Sequence, residues 1–105
     1  MDIAVDVYKV TSELPSDEKF NLTHQIKKCA VFIPSNIAEG VGRQSSKETL
    51  HFLHISRGSL YELETQFYLS LDQNYISESD FEIITTQVET CKKLINGFIN
   101  YYKKL

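Results

Sequence analysis

The chain has 105 residues, 42% of them hydrophobic and 24% charged, and a formal net charge of -3. That length supports a single domain, residues 1–105, with its own core, near the size at which oligomerisation supplements folding. The acidic balance excludes a generally basic nucleic-acid binder; without a run of about 18 apolar residues or a charged-then-apolar leader, neither a membrane span nor a secretion signal is read, which predicts a cytoplasmic protein.

In chain order, Ile3, Val7, Val10 and Leu14 predict a short first helix that closes before Pro15. Leu22, Ile26, Cys29, Ile33, Ile37 and Gly40 define the apolar stripe of a second helix, which the Gly40-Val41-Gly42 stretch should end. Inside it, Pro34 cannot donate to the carbonyl of Ala30, which predicts a kink there rather than a new helix start. Val31 and Phe32 point away from the Ile33 stripe at 100° per residue, and are read either as subunit contacts or as scattered surface hydrophobicity.

A third helix should begin at Ser45 or Ser46, where Ser45 and Glu48 have the spacing of a capping box, and run to about Asp72. Leu53, Leu60, Phe67 and Leu71 share one side of it, with Leu50, Leu63 and Tyr68 flanking. The strongest periodicity comes last: Phe81, Ile84, Val88, Cys91, Ile95, Phe98, Tyr102 and Leu105 alternate spacings of three and four. Ser79 and Glu82 repeat the capping spacing at the start of this fourth helix, and Lys103 and Lys104 suit its negative dipole end. Four amphipathic helices with short connections predict an all-α, antiparallel up-and-down four-helix bundle.

Reactive chemistry is poorly supported. Glu48 and His51 have the Glu-x-x-His spacing of bundle metal sites, but a second such motif is missing, and His51 and His54 rotate away from Leu53 and Leu60. Ser56 and Ser59 near His54 lack an oxyanion hole, and Gly40-Val41-Gly42-Arg43 lacks the strand and Lys-Ser/Thr end of a phosphate loop. Cys29 and Cys91 fall on apolar stripes and read as reduced core residues. The chain is therefore read as a non-enzyme with no cofactor and no metal. Glu64 lies near the apolar stripe of the third helix, with Arg57 two turns earlier; Asn36 and Arg43 are its candidate partners in a polar lock, and the alternative is that it reaches solvent.

Charge is segregated along the chain. From Gly58 to Cys91 every charged residue is acidic, whereas Lys27, Lys28, Arg43, Lys47 and Arg57 precede that stretch and Lys92, Lys93, Lys103 and Lys104 follow it. An antiparallel bundle would gather Arg43, Lys47, Lys103 and Lys104 at one pole, and Asp17, Glu18, Asp72, Glu78, Asp80 and Glu82 at the other. The basic pole is a candidate nucleic-acid site, with Lys27 and Lys28 as further candidates; placement by helix-dipole preference alone is the competing account.

Leu22 to Ala30, then Ile33-Pro34-Ser35-Asn36-Ile37-Ala38-Glu39-Gly40, Phe52-Leu53, and Arg57-Gly58-Ser59-Leu60-Tyr61-Glu62-Leu63-Glu64 together resemble the four-helix-bundle family of 23S rRNA intervening-sequence proteins, also labelled S23 ribosomal proteins. The resemblance spans nearly the whole chain and extends to accessory proteins of diversity-generating retroelements. It implies antiparallel protomers in a ring-like homopentamer, association with RNA or DNA, and no catalytic site. The family signature maps onto Asn36, Glu39 and Gly40, and a second element onto Gly58, Ser59 and Glu62; for both, a role in packing the second helix on the third is expected. The retroelement members are strongly basic, with an arginine pair frequent where this chain has Lys27 and Lys28, which argues against a retroelement role here. The first helix is short against the family pattern, as expected of a start that is truncated or misassigned. Two functions follow as expectations: an oligomeric nucleic-acid accessory module, or a protein-interaction scaffold that uses Val31 and Phe32 for subunit contact and docks a protein partner at its charged poles.

Overall fold

The computed structural model describes residues 2–12 and 22–105. The described residues form four helices: α1 (Asp2–Thr11), α2 (His24–Val41), α3 (Ser46–Asp72) and α4 (Glu78–Lys103). Leu14, Pro15, Asp17 and Glu18, which carried the end of the first helix and part of the acidic pole, lie outside the described residues, as does the side chain of Ile3.

Local chemistry accounts for most of the boundaries. Ser45 Oγ accepts the backbone N–H of Glu48 at 3.2 Å, so α3 begins where its serine cap places it. Its far end closes on Asn74, whose φ of 59° places it in the left-handed region; the N–H of Tyr75 reaches the carbonyl of Ser70 and that of Asn74 the carbonyl of Leu71, both at 2.9 Å. α2 runs unbroken through Pro34 to Val41 and is terminated at Gly42. One boundary differs from the expectation: α4 is capped by Ser77, whose Oγ accepts the N–H of Asp80 at 3.1 Å, and not by Ser79. Both serines stand three residues before a carboxylate, and Ser77 is the one held in extended backbone after the α3 turn.

The helices pack as an up-and-down bundle in the order α1, α2, α3, α4, with α1 closing the ring between α2 and α4. Cross-helix bonds set the antiparallel register. Along α2 and α3, Thr49 reaches Gly40, Ser56 reaches Ile33 and Cys29 reaches Glu62; along α3 and α4, Arg57 meets Asn96 and Glu64 meets Lys92. Val7, Val10, Ile26, Ile33, Leu53, Leu60, Leu63, Phe67, Ile84, Val88, Ile95 and Ile99 fill the core, and Cys29 and Cys91 are buried in it as free thiols.

Three residues of the expected apolar stripes, Tyr68, Phe98 and Leu105, lie outside the core. Tyr68 is half exposed and stacks edge-to-face on Phe81 at 4.9 Å, because Phe67 beside it takes the core direction. On α4, Ile99 is buried where Phe98 was expected, and Phe98 and Leu105 are exposed. The side of α4 that carries Phe98 is the side where Gln87, about three turns earlier, donates to Asp6 of α1 at 3.0 Å. Among the described residues α1 spans ten and does not extend alongside Phe98, and Leu94, Phe98 and Tyr101 form an exposed apolar stripe.

Candidate functional site

Small residues let α2 and α3 approach closely. Gly40 is buried, and a Cβ added to it would stand 3.0 Å from Cβ of Phe52 and 3.2 Å from the carbonyl oxygen of Thr49. Thr49 Oγ1 donates to the Gly40 carbonyl at 2.7 Å, and the fully buried Ser56 donates to the Ile33 carbonyl at 3.0 Å. Ser56 is thus a helix-packing residue with its hydroxyl committed to the α2 backbone. Gly40 therefore sits in the close contact of α2 with α3. Gly58 is exposed, and an added Cβ there would meet nothing within 4 Å, so it faces away from the α2–α3 contact. Asn36 bonds its own helix, Nδ2 to the Phe32 carbonyl at 2.9 Å, and Glu39 pairs with Arg43 one turn on at 3.1 Å. Glu62 accepts the Cys29 thiol at 3.5 Å and so links α2 to α3, while Ser59 on α3 is half-buried.

Burial pushes the Cys29 thiol up to about 11, with the Glu62 carboxylate adding to the effect, and burial raises Cys91 as well. Both shifts are away from the thiolate that a nucleophilic cysteine requires. His51 and His54 are exposed, and no group of three or more metal-ligating side chains occurs among the described residues. His54 is held neutral to lower pH by partial loss of water and by the charges of Arg57 and Lys103.

Glu64 finds a partner other than Asn36 or Arg43. Lys92 Nζ of α4 donates to both its oxygens, at 3.0 and 2.9 Å, and to Glu89 at 3.1 Å, and lies over the Tyr61 ring at 5.2 Å. Arg57 turns instead to Asn96 Oδ1 and His54 Nδ1, both at 3.0 Å. Periodicity places Glu64 on the α3 stripe, but only the register against α4 selects Lys92. The Lys92 and Glu64 side chains are 19% and 22% exposed, so the pair is shielded without being sealed. Lys92→Met should cost about 1–2 kcal/mol in urea unfolding at neutral pH. The Glu64 bond raises the Lys92 pKa first, Glu89 next, so this stabilisation is complete below the unfolded value near 10.5 and disappears as pH climbs through the folded value. A wild-type advantage over Lys92→Met that persists unchanged in strong alkali would contradict the pairing.

The antiparallel register puts Arg43 and Lys47, at the α2–α3 turn, at the same end of the bundle as Lys103 and Lys104 at the close of α4. Lys103 is close enough for its charge to act on His54 in α3. The Arg43 guanidinium lies 4.7 Å from the Phe52 ring centroid. Glu39 and Glu48 are the carboxylates nearest these cations in the chain, and Glu39 is engaged by Arg43. The opposite end carries Asp72, Glu78, Asp80 and Glu82. Asp80 and Glu78 lie in the first turn of α4, where the dipole favours them.

Lys27, Lys28, Val31 and Phe32 lie elsewhere. They share one shallow concavity with Tyr8 of α1 and His24, so residues expected to serve two separate roles are neighbours. Tyr8 was not singled out in the sequence, because only the docking of α1 on α2 brings it there. No helix of the described residues is long and apolar enough to cross a membrane. No curated protein matches the chain. The family model described as 23S rRNA-intervening sequence protein matches residues 1–97, and with a four-helix bundle beneath that match, this chain belongs to the 23S rRNA-intervening sequence protein family.

Proposed function

We propose that this protein is a non-enzymatic, homo-oligomeric accessory module that associates with nucleic acid in the cytoplasm through its basic end. The observation that carries the reading is the separation of charge along the bundle: Arg43, Lys47, Lys103 and Lys104 at one end, Asp72, Glu78, Asp80 and Glu82 at the other. A protomer of net charge -3 repels a polyanion on average, but its basic end attracts one locally. Repeating that end around an oligomer axis, as in the pentameric ring that the family resemblance implies, raises apparent affinity by multivalency. The uncovered stripe of Leu94, Phe98 and Tyr101 supplies the subunit contact in this reading.

Fluorescence anisotropy with structured RNA, duplex DNA and single-stranded DNA, at low and near-physiological salt, tests it. Arg43→Ala with Lys47→Ala should weaken binding to all three, and should shallow the slope of log affinity against log salt by roughly 0.7–0.9 for each phosphate no longer neutralised. Unchanged affinity in the double variant would remove the basic end as the site, and no binding by the wild type even at low salt would remove the reading itself. The second reading is a protein scaffold without nucleic acid, favoured by the exposed Val31 and Phe32 on α2.

A further inference from the structure

We infer that the concavity between α1 and α2 is a platform for single-stranded nucleic acid, with unpaired bases stacking on Tyr8 and Phe32 and phosphates held by Lys27 and Lys28. The inference rests on the nucleic-acid reading above but concerns a different surface. Tyr8 and Phe32 are 42% and 44% exposed, so both side chains are within reach of a ligand from solvent. Lys27 Nζ sits 5.3 Å from the Tyr8 centroid and Lys28 Nζ 5.5 Å from the Phe32 centroid, two pairings of one ring with one ammonium. Such exposed cation–π contacts are weak, about 0.5–1 kcal/mol, and the long lysine stems can swing the ammonium from ring to phosphate when a base takes its place.

Charge selects the occupant. Among the described residues the concavity is lined by Tyr8, His24, Lys27, Lys28, Val31 and Phe32, with no carboxylate in that set, and α2 carries none from His24 to Ala38. On a chain with more acidic than basic residues, that is the local composition a polyanion requires. The rings then distinguish its form. A duplex keeps its base faces inside the stack, whereas a single strand presents them, and aromatic rings beside cations are the usual means of holding one. An apolar protein partner would gain from Val31 and Phe32 but would have to desolvate two lysines with no carboxylate among the described lining residues to receive them.

The test uses the full chain, labelled oligo(dT), oligo(U) and a mixed-sequence duplex of equal length. Tyr8→Leu with Phe32→Leu keeps apolar bulk and removes both rings. It should weaken binding to the two single strands by about tenfold or more and leave duplex affinity within about twofold. Arg43→Ala with Lys47→Ala should weaken all three. Equal loss on single strands and duplex, or no loss on either while the wild type binds, overturns the platform and leaves the basic end standing. Wild-type protein that binds none of the probes overturns both. Light scattering supplies the remaining arm: a fall in molar mass for Phe32→Asp identifies this face as a protein contact and overturns the platform, whereas unchanged mass with loss of single-strand binding supports it.

Discussion

Gly40→Val should destabilise the bundle by about 3 kcal/mol, whereas Gly58→Ala should stabilise it by roughly 0.5–1 kcal/mol. Both glycines are inside helices, so propensity alone favours alanine at either position by about 1 kcal/mol. Packing decides between them. At Gly40 the first added carbon already meets Cβ of Phe52 at 3.0 Å and the Thr49 carbonyl at 3.2 Å, and neither is the far end of a flexible side chain. The γ-methyls of valine would push α3 off α2 and strain the buried 2.7 Å bond from Thr49 to the Gly40 carbonyl. At Gly58 nothing lies within 4 Å, so only the helix gain remains. Thermal and urea unfolding at one fixed protein concentration measure both, since oligomerisation makes apparent stability concentration-dependent. A Gly40→Val protein as stable as wild type would mean that α2 and α3 do not meet as closely as described. A Gly58→Ala protein that loses stability only at high concentration would place Gly58 in a subunit contact.

The same contrast shows what a sequence makes legible. α3 could be read to within a residue because both its ends are local events: a serine three residues before a glutamate, and a run of apolar spacings that ends at Asp72. The long stripes of α2 and α4 were legible for the same reason, and so was the bundle they imply. What escaped was whatever depends on register between helices. Glu64 could be seen to need a cation, but Lys92 is chosen by the offset of α4 against α3, which no periodicity encodes. Ser77 and Ser79 are equivalent as spacing signals, and the path of the chain out of α3 separates them. Phe98 and Ile99 fit the α4 stripe about equally, and the difference between them is made by α1, whose reach decides which side of α4 is covered. Tyr8 joins Lys27 and Lys28 through the same docking. The basic end could be proposed because antiparallel topology alone places Arg43 and Lys47 with the end of α4, without any side-chain geometry.

Phe67→Ala carries the largest expected loss, about 3–5 kcal/mol, against well under about 1 kcal/mol for Tyr68→Ala beside it. Adjacent helical residues point 100° apart, and here that rotation separates a side chain only 1% exposed from one 51% exposed. Removing the Phe67 ring leaves a void among the core residues, while removing the Tyr68 ring gives up little beyond its edge-to-face contact with Phe81. Against a total stability of about 5–15 kcal/mol, the Phe67 loss should lower the melting temperature by upwards of about 12 °C and bring the variant close to unfolding. The shape of the transition is as informative as its midpoint. Phe67 belongs to one continuous core that draws side chains from all four helices, so the variant should still unfold in a single step, followed equally by helical circular dichroism and by tyrosine fluorescence. A variant in which α1 and α2 melt separately from α3 and α4 would show instead two half-cores. In that case the basic end, which takes Arg43 from the end of α2 and Lys103 from α4, would come apart before the protein unfolds, and the proposed polyanion binding would disappear at a lower temperature than helicity.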